Sequence, residues 1–183
     1  MHPSDRVRRE RCLRGAVLVG DERAWRTWYE ESFADLYAYV LWRCAGLRDR
    51  ADEVVQDTWL TAVRRIRTFD PGQAPFAAWL RGIAAHLLRN HFRKETRRAA
   101  HSRPLVDEHP AADGETVRCE QAERVARALA ALPERYEAVL RAKYLDGQSV
   151  ADVAAARGET TKTVESLLTR ARQAFREVYL ESE

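Results

Sequence analysis

Ser149-Val-Ala-Asp-Val-Ala-Ala-Ala-Arg-Gly-Glu-Thr-Thr-Lys-Thr-Val-Glu-Ser-Leu-Leu168 is the stretch on which the reading of this chain turns. Ser149 followed three residues on by Asp152 has the pattern of a capping box, in which a hydroxyl and a carboxylate satisfy the amide groups that a helix start leaves unpaired. A helix is therefore expected to begin there. Ala154 is small enough for a second helix to cross closely, Gly158 suits the left-handed conformation that stops the first helix, and Thr160 suits the cap of the next. Val153, Val164 and Leu168 would supply the shared core. The pattern predicts a helix-turn-helix whose second helix projects Thr161, Lys162, Glu165, Ser166 and Thr169 outward, with Arg170 and Arg172 in reach of a phosphate backbone. The same residues also admit two ordinary packed helices with solvated polar faces.

Working outward, apolar residues recur at three- and four-residue spacing almost everywhere and sustained alternation is missing, so the fold is expected to be all-α. Upstream of the motif, Gln121 to Leu132 reads as a helix ended by Pro133, and Glu134 to Leu145 as a helix ended by Asp146-Gly147. Together with the motif they predict a compact four-helix module over 119–183. Between 99 and 118, Pro104, Pro110 and Gly114 interrupt the periodicity, and Asp107, Glu108, Asp113 and Glu115 leave little to bury, which reads as an acidic flexible linker.

Residues 1–98 predict a first helical module. Gly20-Asp21-Glu22 opens a helix carrying Trp25, Trp28, Tyr29 and Phe33 and running towards Gly46. A second begins near Asp49, with Ala51, Val54, Val55, Thr58, Trp59, Ala62, Val63 and Ile66 forming one apolar stripe. It stops at the turn signal Phe69-Asp70-Pro71-Gly72. A third starts around Ala74-Pro75 and points Phe76, Trp79, Leu80, Ile83, Leu87 and Phe92 inward. The basic start, Arg6 to Arg14, is compatible with a frayed helix or a partner contact, and its role stays open.

Two of these helices have faces of interest. On the third, Arg81, Arg89, Arg93 and Arg97 lie four or eight residues apart on one side, widened by Lys94 and Arg98, which suits a DNA backbone or a solvated surface. On the second, Asp52, Glu53, Gln56, Asp57, Leu60 and Arg64 occupy the side away from the apolar stripe. An exposed leucine among acids fits a protein interface or a stray surface residue. Most aromatics read as core. Phe69 stands at a turn, where a flipped base could stack on it without disturbing the packing.

Of 183 residues, 45% are hydrophobic, enough for helical cores, yet no apolar run approaches the roughly 18 that a membrane span needs. Met1-His-Pro-Ser-Asp-Arg lacks the apolar stretch of a secretory signal, so a soluble cytoplasmic protein without membrane insertion is expected. The short end after Tyr179 speaks against a further C-terminal sensing domain. A net charge of only +3 says little by itself. Cys12, Cys44 and Cys119 are odd in number and far apart, and His86 and His91 would diverge on one helix. No metal, cofactor or disulfide framework is expected. Phosphate loops, nucleophile motifs and paired catalytic carboxylates are likewise missing, which argues against an enzyme.

With these residues assembled, the chain resembles the extracytoplasmic-function (ECF) sigma factors of bacterial RNA polymerase, small two-domain members of the sigma-70 family. The resemblance runs from about Gly20 to Glu177. It rests on Gly20-Asp-Glu-Arg-Ala-Trp, Ala51-Asp-Glu-Val-Val-Gln-Asp-Thr-Trp-Leu, Phe76-Ala-Ala-Trp-Leu-Arg-Gly-Ile-Ala, Leu132-Pro-Glu-Arg-Tyr and Thr163-Val-Glu-Ser-Leu-Leu-Thr-Arg-Ala-Arg, in that order. It implies a sigma region 2 bundle and a sigma region 4 helix-turn-helix domain.

By this resemblance Glu53, Gln56, Asp57 and Leu60 would contact core polymerase at the beta-prime clamp helices. Phe69, Asp70, His86, Arg89, Asn90 and Arg93 would lie near the minus-ten element of promoter DNA. Thr161, Lys162, Glu165, Ser166, Thr169, Arg170 and Arg172 would address the minus-thirty-five element. The acidic linker would thread towards the RNA exit path, and the beta flap and an anti-sigma factor are further implied partners. His86, Asn90, Glu165 and Leu167 depart from the residues common in the family, Asn, Asp, Lys or Arg, and Arg respectively. The alternative is a stand-alone helix-turn-helix regulator that does not bind polymerase.

Overall fold

The computed structural model describes residues 3–101 and 114–181. Its elements are α1 (Pro3–Leu18), α2 (Glu22–Arg43), α3 (Arg48–Arg65) with a 3-10 turn at Ile66–Thr68, α4 (Phe76–His101), α5 (Gly114–Ala131), α6 (Glu134–Tyr144), α7 (Val150–Arg157) and α8 (Thr161–Leu180). Among the described residues there is no strand, as the apolar spacing predicts. The chain divides into two compact units, residues 1–41 with 48–91, and residues 42–47 with 92–183.

The first unit is built around aromatic rings. Trp28 of α2 stacks on Phe76 of α4 with centroids 4.2 Å apart. Phe69 stands edge-on to both, at 5.9 and 5.5 Å, and Trp79 adds a fourth ring 5.1 Å from Phe69. Edge-to-face and stacked pairs at these distances add to what burial alone contributes. Leu36, Val40, Val54, Ala62, Leu80, Ala84 and Leu88 complete the core, and the buried Thr58 hydroxyl donates back to the Val54 carbonyl at 2.7 Å. Asp21 starts α2 by accepting from the Arg23 amide at 2.8 Å.

The stripe expected on α3 is buried at Ala51, Val54, Val55, Thr58, Ala62 and Ile66, but Val63 is 52% exposed. On α4 the inward position is Leu88, fully buried, whereas Leu87 is only half-buried, a register difference of one residue.

The second unit gathers Leu129, Leu132, Val139, Leu140, Val153, Ala154, Val164, Leu167, Leu168 and Ala171 from α5 to α8 into one core. Its helix-turn-helix forms as its residues dictate. Ser149 Oγ accepts from the Asp152 amide at 3.1 Å while Asp152 accepts from the Ser149 amide at 3.2 Å, the reciprocal capping box. Gly158, at φ 65°, ends α7 in the left-handed region and lets the Glu159 amide reach back to the Ala154 carbonyl at 2.9 Å. Thr160 then caps α8 by accepting from the Thr163 amide at 3.1 Å.

The stretch expected to be irregular from 99 to 118 is helical at both ends. α4 continues to His101, and α5 starts at Gly114, seven residues before the expected Gln121. Glycine weakens a helix interior far more than its first turn, where the amide is unpaired in any case. Pro104, Pro110, Asp107, Glu108 and Asp113 lie outside the described residues.

Candidate nucleic-acid interface

Three surfaces carry the residues singled out by the sequence. On α8, Thr161, Lys162, Glu165, Ser166, Thr169, Arg170 and Arg172 are all exposed, while Val164, Leu167, Leu168 and Ala171 face the core. Exposed polar residues and packing residues therefore occupy opposite sides of one helix. The Thr169 hydroxyl donates to the Glu165 carbonyl at 3.0 Å. Arg172 Nε donates to the Tyr144 hydroxyl at 2.9 Å, so this guanidinium is held beside the end of α6. Leu167 is 8% exposed. Its side chain belongs to packing, and an arginine there could not reach DNA without leaving the core.

The carboxyl of Asp152 at the start of α7 is held below the ordinary carboxylate range, first by the hydrogen bond from the Ser149 hydroxyl and then by that from the Ser149 amide. Each favours the ionised form.

On α4, Arg89 and Arg93 are exposed one turn apart, with Lys94 beside them. His86 is exposed, and its Nε2 lies 2.9 Å from the Asn90 amide nitrogen. These two side chains thus present one joined polar surface rather than two independent ones. The side chains of Arg97 and Arg98 lie outside the described residues. Asp70 is exposed in the turn before α4, where its carboxylate accepts from the Gly72 amide at 2.9 Å.

Phe69 corrects the sequence reading. Its position at a turn suggested an accessible ring, but it is 2% exposed and enclosed by Trp28, Phe76 and Trp79. Stacking a base on it would require opening the aromatic core, so Phe69 shapes the turn from inside.

On α3, Asp52, Glu53, Gln56 and Asp57 are exposed and Leu60 is 46% exposed. Sequence reasoning missed what lies next to them. Trp25, Tyr29, Phe33 and Tyr37, four residues apart along α2, line a groove of about 650 Å³ against Val55, Gln56, Trp59, Leu60 and Val63 of α3. Tyr29 sits 5.0 Å from both Phe33 and Trp59, and yet is 45% exposed. The four-residue aromatic spacing was visible but was read as core, because Trp28, Leu36 and Val40 on the adjoining stripe do that work. At one end of the groove the Tyr37 phenol donates to the Asp52 carboxylate. That hydrogen bond, with smaller contributions from burial and the carboxylate's charge, raises the tyrosine pKa above its ordinary value.

Among the described residues no cluster of His, Cys, Asp or Glu could hold a metal ion, and no helix is long and apolar enough to cross a membrane.

The described residues thus present an apolar groove beside the exposed acids of α3, a basic face on α4 and a locally capped helix-turn-helix. Comparison with known proteins agrees in order and position. The Sigma-70 region 2 model matches residues 29–98 and the Sigma-70 region 4 model matches residues 122–175. The ECF RNA polymerase sigma factor SigF of Caulobacter vibrioides is 30% identical over 165 residues, covering 90% of this chain and 89% of that protein. The ECF RNA polymerase sigma factor SigM of Mycobacterium tuberculosis is 32% identical over 164 residues, covering 87% and 79%.

Among solved structures, the sigma factor RpoE in complex with the anti-sigma factor NepR from Bartonella quintana aligns at 24% identity over 84% of this chain and 95% of that one, with a TM-score of 0.47. CnrH in complex with the cytosolic domain of CnrY aligns at 26% identity over 94% and 97%, with a TM-score of 0.45. This chain belongs to the ECF sigma factors of the sigma-70 family. It is a subunit that binds core RNA polymerase and directs promoter recognition and transcription initiation. With a region 2 match in place, the stand-alone regulator no longer accounts for the first unit.

Proposed function

We propose that the three surfaces divide the work of initiation among them. Glu53, Gln56, Asp57 and Leu60, with the α2–α3 groove beside them, form the contact to the beta-prime clamp helices. The observation that supports this most directly is the groove itself: its aromatic walls carry one acid, Asp52, and one base, Arg26, and the exposed Glu53 and Asp57 of α3 add negative charge, which suits an amphipathic helix carrying basic residues. Asp70, His86, Arg89, Asn90 and Arg93 face the minus-ten element, with Arg89 and Arg93 on phosphates and the joined His86–Asn90 surface towards a base. On α8, Thr161, Lys162, Glu165, Ser166, Thr169 and Arg170 face the minus-thirty-five element, with Arg172 set aside towards Tyr144. The residues between the two family-matched regions would thread towards the RNA exit path. Family membership supports an anti-sigma factor and the beta flap as partners, a cytoplasmic location and a role without bond chemistry of its own.

The test is co-purification with bacterial core RNA polymerase of the intact chain and of the double variant Glu53→Lys, Asp57→Lys. Stoichiometric binding of the intact chain, lost in a folded double variant, is the expected result. Equal binding by both would move the polymerase contact off α3.

A further inference from the structure

The helix α1 lies outside both family-matched regions, and its basic residues found no role in the sequence reading. Arg6, Glu10 and Arg14 stand four residues apart on one face of it, and all three end on the backbone of one short segment. Arg14 Nη2 donates to the Arg67 carbonyl at 2.8 Å. Arg6 Nη1 donates to the Pro71 carbonyl at 3.4 Å and to Glu10 at 2.7 Å. Glu10 Oε1 accepts from the amide of Phe76, the first residue of α4, at 3.1 Å.

The chemistry at each end fits the group it meets. The start of α4 has no side-chain cap of its own, because Pro75 precedes it and has neither a hydroxyl nor a carboxylate. Glu10, 9% exposed and held by Arg6, brings a carboxylate to the positive end of that helix from 66 residues away. At the other side, the 3-10 turn leaves its last carbonyls without helical partners, and the Arg14 guanidinium takes one of them. Helix α1 is itself anchored, by Arg9 pairing with Glu31 of α2 and by the buried Val17.

We infer that α1 is a positioning strap: Arg6, Glu10 and Arg14 fix the 67–76 segment, and with it Asp70 and the entry angle of α4, in the conformation that receives the minus-ten element. The inference rests on the proposed placement of Asp70 and α4 at that element. The three residues touch no DNA in this account. They act through the backbone they hold, Glu10 through an acceptor oxygen for the Phe76 amide and a charge paired with Arg6.

The test uses the full chain bound to core polymerase and a single-stranded oligonucleotide carrying the non-template minus-ten sequence. Glu10→Ala and, independently, Arg14→Ala are expected to weaken its binding about two- to thirty-fold, the range that loss of one helix cap represents. Each should also speed amide hydrogen exchange across 67–76, with polymerase binding and duplex minus-thirty-five binding unchanged. Glu10→Gln keeps an oxygen for the Phe76 amide but loses the charge paired with Arg6, and should restore both readouts in part. Unchanged exchange or unchanged oligonucleotide binding in both alanine variants overturns the strap. Asp70→Ala separates the two levels. If it weakens binding while both α1 variants are silent, the strap alone fails; if it too is silent, the placement at the minus-ten element fails and the strap falls with it.

Discussion

The two helices proposed to face promoter DNA begin in opposite ways. α8 starts from Thr160, whose hydroxyl accepts from an amide three residues ahead, directly after a turn shaped by Gly158. α4 starts from a proline and receives its cap from Glu10 in another helix. A local cap forms as soon as its own few residues meet, whereas a remote one exists only once α1, α2 and α4 have packed. The start of α8 is therefore set by its own few residues, while that of α4 depends on the packing of the first unit.

That contrast can be broken in several places, the largest effect coming from the aromatic core. Trp28→Ala removes the ring stacked on Phe76 and should destabilise the first unit by about 3–5 kcal/mol. Hydrogen exchange should show protection lost in α2 to α4 but kept in α7 and α8. Loss of protection in both sets together would show that the two helix starts are not independent.

Next in size is Gly158→Ala. A Cβ there meets nothing within 4 Å, so the whole cost is conformational, about 1–2 kcal/mol for a left-handed alanine at φ 65°. Denaturant unfolding followed at α7 and α8 should register it, and Gly158→Asn should cost less.

Ser149→Ala tests the reciprocal cap and should lower stability by about 1 kcal/mol. It also carries a pH signature. The folded Asp152 carboxyl titrates below its ordinary value, so its contribution is fully present above the unfolded pKa and is lost as pH falls through the folded one. Acid unfolding below about pH 4 should therefore begin earlier in the wild type than its neutral stability suggests, and this extra slope should vanish in Asp152→Asn.

The smallest effect is expected from Glu165→Lys, which sharpens the comparison in charge. α4 presents Arg89 and Arg93, but α8 places a carboxylate among its outward residues, able to accept from a cytosine amino group and unable to pair with phosphate. The lysine variant should bind nonspecific DNA more tightly and steepen the dependence of log K on log salt by about 0.9. An unchanged salt slope would place Glu165 away from the backbone.

How much of this was legible from the sequence follows the same division. Ser149, Asp152, Gly158 and Thr160 act on amides and carbonyls within a few residues, so their spacing was enough to place α7 and α8. The α3 stripe was legible through Ile66 for the same reason, with Val63 misplaced because periodicity does not say how wide the covering helix is. Phe69 was misread because a turn position says nothing of rings arriving from positions 28 and 79. The groove on α2 went unseen because two aromatic stripes share that helix and only packing decides which one is covered. The partners of Glu10 and Arg14 are set by tertiary closure alone, and no local pattern could have paired residue 10 with residue 76.

The separation of roles on α8 has a consequence for how such a protein changes over generations. Val164, Leu167, Leu168 and Ala171 hold the helix in the core, while Lys162, Glu165 and Ser166 stand exposed on its other side. On the placement of α8 proposed above, promoter preference can thus drift by single substitutions at Lys162, Glu165 or Ser166 without a debt in folding. After gene duplication, two copies could come to read different promoters while keeping the same scaffold.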